Sequence, residues 1–304
     1  MFYITEDEVK EHLKMNETIQ VLKEAFIDLA EGKSSVSSRE RLTGDGALLN
    51  TMPAILGKYH LAGLKTYIAS RQGARFVVVV FDTKSNDLLA LIEANNLGRI
   101  RTGALPAMVS QLLLKREGQE IAVIGSGFQA ETQLEGLLNV FDCGLVHVYS
   151  RHINNARMFA RRMQSLHGVE VRAHENVRDA TKDATVISSI TDSNDAIFSS
   201  GDLGEKYHVN LCGGNIPSRR EAAADVLENS DIVIVEHLEQ SMKESGEIIG
   251  LMKSKSSPKP IELKDFMSSQ RNKHYQKSVF KSMGVGLEDL AAAYLVLKKM
   301  GVIS

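Results

Sequence analysis

The stretch Ile121-Ala-Val-Ile-Gly-Ser-Gly-Phe-Gln-Ala130 decides the fold of this 304-residue chain. Four apolar residues lead into Gly125, a second glycine follows at Gly127, and the small Ala130 stands where a third glycine often occurs. This pattern is typical of the strand-to-helix turn of a dinucleotide-binding unit, where the glycines permit a tight turn and a close approach to a pyrophosphate. The first amides of the following helix would face the phosphates. The predicted cofactor contacts are Gly125, Ser126, Gly127, Phe128 and Gln129.

The residues beyond this turn alternate between helix and strand patterns. Leu134, Leu137, Leu138 and Phe141 have the i, i+3, i+4, i+7 spacing of one apolar helix face. Further strands are predicted at Val146–Tyr149, Val169–Arg172, Val186–Ile190, Val209–Cys212 and Ile232–Val235. Helices at about 154–166, 178–182 and 219–228 separate most of these strands. Such alternation predicts a parallel, doubly wound (Rossmann) α/β sheet.

The first hundred residues have a different pattern. Thr5 followed by Glu8 is a capping box that opens a short helix, and Asn16 is expected to cap a second helix. Strands are predicted at Ala47–Asn50, Leu61–Ile68, Arg75–Phe81 and Leu88–Glu93. These elements predict helices together with a mixed or antiparallel sheet.

Three finer expectations concern the same part of the chain and the C-terminal helix. The β-branched run Phe76–Phe81 predicts a strand that is covered on both faces. Thr102 is expected to cap the helix that leads out of this region, and the domain boundary is placed in that helix. The last helix is predicted to start near Leu287, where Glu288 and Asp289 suit the positive end of its dipole.

The composition excludes several classes of protein. Hydrophobic residues make up 43% and charged residues 24% of the chain, and the formal net charge is −2. This balance is that of an ordinary globular enzyme and favours neither nucleic acid nor a membrane surface as a partner. Cys143 and Cys212 form no disulfide framework and no metal spacing, so no metal is expected. The absence of a signal peptide and of a membrane-spanning run predicts a cytoplasmic protein.

The end of the second predicted Rossmann strand bears on the choice of cofactor. An acidic residue at this point would bind the adenosine ribose hydroxyls and repel a 2′-phosphate. The chain instead reads Val148-Tyr149-Ser150-Arg151-His152, and Ser150 and Arg151 can both bind a phosphate. NADP(H) is therefore favoured, with NAD(H) as the alternative, in which case Arg151 is a solvated residue at a strand end.

Several ordered motifs resemble the ornithine cyclodeaminase/μ-crystallin family. They are Met52-Pro53, Leu97-Gly-Arg-Ile-Arg-Thr-Gly-Ala104, the glycine turn, Gly213-Gly-Asn-Ile-Pro-Ser-Arg-Arg-Glu221, Ser245-Gly-Glu247 and Phe280-Lys-Ser-Met-Gly-Val-Gly-Leu-Glu-Asp289. The resemblance implies a Rossmann domain over residues 116–283. It also implies a split α+β substrate-binding and dimerisation domain over residues 1–115, completed by residues 284–304, and hence a homodimer.

The resemblance also implies roles for individual residues. Arg41, or Arg39 if the register is shifted, matches the arginine that binds the substrate carboxylate, and Arg101 matches a second one. Lys65 matches the active-site lysine. Thr102 and Arg219 match positions that face the cofactor. These residue types suit the implied roles. A guanidinium binds a carboxylate through two hydrogen bonds, and a desolvated lysine exchanges protons near neutral pH.

The chain departs from the cyclodeaminases at two positions. Asn215 replaces an aspartate that acts as acid and base on the substrate nitrogen, and an amide cannot take up a proton. Asn50 replaces an acidic residue. Both changes favour simple hydride chemistry, with Lys65 and Asn215 as the catalytic candidates. Glu221 is expected to be a charge in the first turn of a helix rather than a catalytic base.

Three functions follow from the resemblance. The first is an NAD(P)H-dependent reductase of small imino acids, or equivalently an alanine-type amino-acid dehydrogenase. The second is an ornithine cyclodeaminase, which releases ammonia and uses NAD without net change. The third is a non-enzymatic, NADPH-dependent binding protein of the crystallin type. The first is preferred because of Asn215 and Asn50.

Overall fold

The computed structural model describes residues 1–254, 258–269 and 274–303. In chain order the elements are β1 (Phe2–Ile4), α1 (Glu6–His12), α2 (Met15–Ala30), β2 (Ser35–Val36), β3 (Glu40–Gly44), β4 (Ala47–Leu56), β5 (Leu61–Ser70), β6 (Gly73–Asp82), β7 (Leu88–Glu93), α3 (Asn95–Leu113), β8 (Ile121–Ile124), α4 (Ala130–Val140), β9 (Leu145–Tyr149), α5 (Ile153–His167), β10 (Glu170–His174), α6 (Val177–Thr181), β11 (Val186–Ser189), β12 (Tyr207–Leu211), α7 (Ala224–Glu228), β13 (Ile232–Val235), α8 (Leu238–Glu244), α9 (Gly246–Leu251), β14 (Ile261–Glu262), α10 (Leu263–Ser269), β15 (Lys277–Lys281) and α11 (Gly286–Lys299). They form two compact units, residues 1–105 with 284–304 and residues 106–283.

The first unit is built on a seven-stranded sheet in the order β1-β7-β6-β5-β4-β2, with β3 also paired to β4. Every pairing is antiparallel except that of β1 with β7. Alternate residues of β4, from Asn50 to Leu56, are buried on the face that α11 packs against, while the residues between them are more exposed. This period-two burial is expected where one face of an antiparallel sheet carries the core.

Within one copy of the chain, strand β6 is covered on one face only, which corrects the prediction for Phe76–Phe81. Val78 and Val80 are fully buried, whereas Val77 and Val79 are half-buried and Phe81 is exposed. The β-branched run reflects the shape preference of a strand as well as burial, so it does not distinguish one covered face from two.

In the first unit, the N-cap predicted from sequence is correct only where the capping residues are neighbours in the chain. The Thr5–Glu8 capping box is confirmed. The predictions for Asn16 and Thr102 are wrong, because Asn16 lies inside α2 and Thr102 lies in the middle of α3. The first amides of α3, including that of Asn96, are instead capped by the carboxylate of Glu6. A cap that comes from so far along the chain has no local sequence pattern.

The second unit contains an eight-stranded sheet in the order β10-β9-β8-β11-β12-β15-β13-β14, and all its pairings are parallel. The predicted parallel, doubly wound sheet is confirmed. The strand order reverses between β8 and β11, and the carboxyl ends of strands at such a point form the ligand crevice of this fold class. The glycine turn follows β8 at this edge. Among the described helices, none is both long and apolar enough to cross a membrane.

Candidate active site

The glycine turn has the backbone geometry that its sequence predicts. Gly125 has a φ of 111°, and a Cβ built there would lie 2.5 Å from the carbonyl oxygen of Ile190. Its amide donates to the Tyr149 carbonyl at 2.8 Å, which ties β8 to the end of β9. A Cβ at Gly127, by contrast, would meet no atom within 4 Å. The backbone at Gly127 is therefore open to a ligand.

The side chains around the turn leave polar groups for a ligand. Gln129 is the N-cap of α4, and its Oε1 is buried without a hydrogen-bond partner among the described residues. The hydroxyls of Ser126 and Ser150 are 2.9 Å apart, so the turn and the end of β9 are connected. Phe128 is 62% exposed. The open backbone at Gly127 fits a dinucleotide phosphate at this helix start, whereas the unpaired Gln129 oxygen can only accept a hydrogen bond from a donor.

The other predicted cofactor residues lie in different places. Arg151 is exposed in the connection between β9 and α5. Arg219 is half-buried, and its Nε donates to Oδ1 of Asn194 at 3.2 Å. Thr102 belongs to the first unit, and its hydroxyl donates to the Gly98 carbonyl at 2.6 Å.

Glu221 is a buried connector at the edge of the parallel sheet, which corrects its assignment to the first turn of a helix. The helix α7 begins only at Ala224. The Glu221 side chain is fully buried and accepts from the Thr191 amide at 2.8 Å and from the Gly213 amide at 2.7 Å. It also accepts from the Ser189 hydroxyl at 2.7 Å. One carboxylate thus joins the segments that follow β11 and β12.

Lys281 and Glu247 support the loop that contains Asn215. Lys281 is fully buried, and its Nζ donates to the Gly214 carbonyl at 2.8 Å and lies 3.8 Å from Oε2 of Glu247. Glu247 Oε1 accepts from the Glu221 amide at 2.8 Å. Asn215 is half-buried and directly follows Gly214. The sequence motifs contained Lys281 and Glu247 but gave no indication of this contact, because the two residues are far apart along the chain.

In the first unit, Lys65 and Arg101 lie side by side against two carboxylates. Lys65 Nζ is 3.1 Å from Asp289 Oδ1, and Arg101 Nε is 3.1 Å from the same oxygen. Arg101 Nη1 is 2.9 Å from Oε2 of Glu288. All four side chains are at least 90% buried. The predicted start of α11 is confirmed, but Glu288 and Asp289 bind these two cations and do more than offset the helix dipole.

Two glycines let the backbone come close to these cations. A Cβ at Gly98, on α3, would lie 3.0 Å from Lys65 Nζ. A Cβ at Gly284, which has a φ of 78°, would lie 2.8 Å from Arg101 Nη1. Any larger residue would push the cations away from their carboxylates.

Burial changes the proton affinity of Lys65. Removal from water disfavours the charged amine and, together with the nearby Arg101, lowers the pKa of Lys65 to about 8, even though Asp289 and Glu288 oppose the change. A lysine with this pKa exchanges protons near neutral pH, as an acid–base catalyst must.

The remaining predicted substrate residues lie on or beside β3 and β4. Arg41 is half-buried and pairs with Asn50 across the two strands. Arg39 is also half-buried, and its Nη2 donates to the Gly284 carbonyl at 3.4 Å. Asn50 is fully buried, and neither Oδ1 nor Nδ2 has a hydrogen-bond partner among the described residues. Such an amide is costly to bury, which marks this position as unusual.

The second unit has the doubly wound sheet and glycine turn of enzymes that use a dinucleotide, and the first unit contains a buried lysine of lowered pKa. The chain belongs to the ornithine cyclodeaminase/mu-crystallin family, whose profile matches residues 2–301.

The chain is similar to relatives along almost its whole length. The Delta(1)-pyrroline-2-carboxylate reductase of Bacillus cereus is 25% identical, over 98% of this chain and 96% of the relative. The ketimine reductase mu-crystallin of Mus musculus is 26% identical, over 97% and 96%. The structure of the Thermococcus litoralis Delta(1)-pyrroline-2-carboxylate reductase in complex with NADH and L-proline superimposes with a TM-score of 0.90 at 25% identity, over 100% of this chain and 99% of that one.

Proposed function

We propose that this chain is an NAD(P)H-dependent oxidoreductase that reduces the C=N bond of small α-imino acids, or oxidises the matching amino acid in the reverse direction. The observation that carries the proposal is Lys65, a buried amine with a pKa of about 8 beside Arg101. Whole-length similarity to imino-acid reductases supports the substrate class.

Three residues of the first unit have distinct roles in this reaction. Lys65 donates a proton to the substrate nitrogen, which must be positive when hydride arrives at the carbon. Arg41 binds the substrate carboxylate. The positive charge of Arg101 attracts the same carboxylate, although its Nε and Nη1 are already bound to Asp289 and Glu288. Such positioning contributes a large part of the rate, because the reacting groups are held in contact.

We assign the dinucleotide to the second unit, residues 106–283, and the substrate and the dimer contact to the first unit, residues 1–105 with 284–304. The residues Gly125 to Gln129 would hold the pyrophosphate through backbone amides. The nicotinamide would supply or accept the hydride. Ser150 and Arg151 support a preference for NADP(H), because both can bind a 2′-phosphate and neither repels it.

Asn215 favours this reaction over ornithine cyclodeamination. The loop that carries it is fixed by Lys281 and Glu221 through Gly214 and Gly213. An asparagine can accept or donate a hydrogen bond but cannot take up a proton, as the aspartate of the cyclodeaminases does. Reduction of an imine needs one proton at nitrogen, for which Lys65 is the donor, whereas loss of ammonia from ornithine needs a further group that takes up and returns a proton.

We further propose that two copies of the chain form a homodimer through the outer face of the first sheet. This face exposes a row of large apolar side chains: Leu42, Leu49, Ile55, Ile68 and Phe81. A second copy would cover them, and apolar patches of this kind mark association sites. Sedimentation at micromolar concentration should give a dimer, and Ile68→Lys should shift it to monomer.

Two free cysteines, Cys143 and Cys212, suit a reducing cytoplasm.

The proposed activity is tested by a substrate screen. Cyclic imino acids, starting with Δ1-pyrroline-2-carboxylate, and pyruvate with ammonia are incubated with NADPH or NADH, and nicotinamide oxidation is followed. Lys65→Ala serves as the inactive control. Tight binding of ligand and cofactor without any turnover would instead indicate a binding protein of the crystallin type.

A further inference from the structure

The carboxylate of Asp289 lies between two buried cations. Its Oδ1 is 3.1 Å from both Lys65 Nζ and Arg101 Nε, and its side chain is fully buried. Its Oδ2 has no hydrogen-bond partner among the described residues. A buried carboxylate with one unpaired oxygen is stable only where nearby cations compensate for its lost hydration. The position of Asp289 therefore depends on the two cations.

The amino group of Lys65 is confined on three sides. Gly98 of α3 lies against Nζ, the Phe76 ring centroid is 5.3 Å away, and Asp289 of α11 accepts a hydrogen bond from Nζ. Within the described part of the chain, Asp289 is the one side chain that accepts a hydrogen bond from this amine. An ammonium group has three donors, so donors remain for a substrate after Asp289 has set the direction of the group.

We infer that Asp289 is a positioning residue for the proposed reaction: it holds the Lys65 amino group beside Arg101 and keeps it protonated for transfer to the substrate nitrogen. The inference rests on the proposed function for the transfer, but the contact itself can be tested without substrate. The charged groups that face Lys65 are Arg101 from α3 and Asp289 and Glu288 from α11, and Tyr67 lies two residues along the same face of β5.

The charge balance explains why Asp289 is needed. The cluster contains two cations and two carboxylates. The charge of Arg101 lowers the pKa of Lys65, and the charge of Asp289 raises it. Without Asp289, burial and Arg101 would lower the proton affinity of Lys65 further, opposed only by the more distant charge of Glu288. Glu288 is the matched comparison, because it is equally buried but bonds to Arg101 and to the Val285 amide rather than to Lys65.

The test is the titration of Lys65 in Asp289→Asn and Glu288→Gln, followed by NMR of ¹³C-labelled lysine side chains, with Lys65→Gln used to assign the signal. Asp289→Asn should lower the pKa of Lys65 by about one pH unit or more, since an opposite charge at this distance has an effect of that size. Glu288→Gln should lower it by less than half as much. The high-pH limb of the kcat/KM profile should move with the Lys65 signal.

Two results would overturn the inference: an unchanged Lys65 titration in Asp289→Asn, or an equal change in Glu288→Gln. If Asp289→Asn does not fold, Asp289→Glu decides the matter. It keeps the charge but displaces the oxygen, so we expect a Lys65 titration near that of the unmodified protein and at least about a tenfold loss of kcat with KM little changed. Unchanged kcat in that variant would contradict the inference. Absence of any reductase activity would refute the proposed function while leaving the titration result valid.

Discussion

Lys65 Nζ and Asp289 Oδ1 form a buried ion pair at 3.1 Å, between the middle of a strand and the first turn of the last helix. The two residues are 224 positions apart in the chain. Their contact brings the C-terminal helix into the candidate active site and links the protonation of the lysine to the fold of the first unit.

The first prediction concerns pH. In the proposed reaction Lys65 is the proton donor, and its pKa is lowered to about 8, so the protonated form that the proposal requires is present below that pH and is lost above it. We expect kcat/KM for imine reduction to be constant through neutral pH and then to fall about tenfold per pH unit above pH 8. The measurement is a pH–rate profile in buffers of constant ionic strength. A profile that stays flat well above this pH would show that Lys65 is not the donor.

The second prediction separates the two arginines. Arg41→Ala should raise KM for the imino acid and leave the melting temperature nearly unchanged, because Arg41 is half-buried on β3. Arg101→Ala should raise KM and also lower the melting temperature, since it removes the buried ion pair with Glu288 and one of the two cations that pair with Asp289. Steady-state kinetics and thermal unfolding of both variants provide the comparison. Equal thermal stability of the two variants would argue against the buried pairing of Arg101.

The third prediction concerns the cofactor. Loss of an arginine–phosphate pair costs about 1.5–3 kcal/mol, which is roughly a ten- to hundredfold change in affinity. Arg151→Ala should therefore weaken NADPH binding by this factor and leave NADH binding nearly unchanged. Fluorescence titration with both dinucleotides measures the two constants. A similar loss for both would remove the basis for the NADP(H) preference.

The fourth prediction concerns Glu221. Glu221→Ala leaves the amides of Thr191 and Gly213 without their acceptor, and each buried unpaired donor costs about 1–3 kcal/mol. We expect the free energy of unfolding to fall by about 3 kcal/mol, as measured by denaturant titration. Glu228→Ala, at an exposed position, is the control. If both variants unfold alike, the buried carboxylate does not hold the two segments together.

The sequence predicted the parts of the fold that depend on local pattern. The glycine turn at Gly125, the parallel sheet and the capping box at Thr5 all follow from residues that are close in the chain. The cap of α3 by Glu6 did not, because it depends on a contact across 89 residues. Local propensity carries no information on such contacts.

The same limit applies to the candidate site. The resemblance selected Lys65 and Arg101, which the structure brings together. It did not reveal the carboxylates that bind them, because acidic residues such as Glu288 and Asp289 are common in the first turn of any helix. Glu221 was misjudged for the same reason: an acidic residue near a predicted helix resembles a helix-terminal charge until its buried partners are known.

The central claim is tested most directly by the stoichiometry of cofactor use. The purified protein is given Δ1-pyrroline-2-carboxylate with NADPH or NADH, and in parallel ornithine with NAD⁺, and both nicotinamide absorbance and ammonia are measured. An imino-acid reductase consumes one reduced nicotinamide for each proline formed and releases negligible ammonia from ornithine. Proline and ammonia formed from ornithine with no net change in the cofactor would contradict the account.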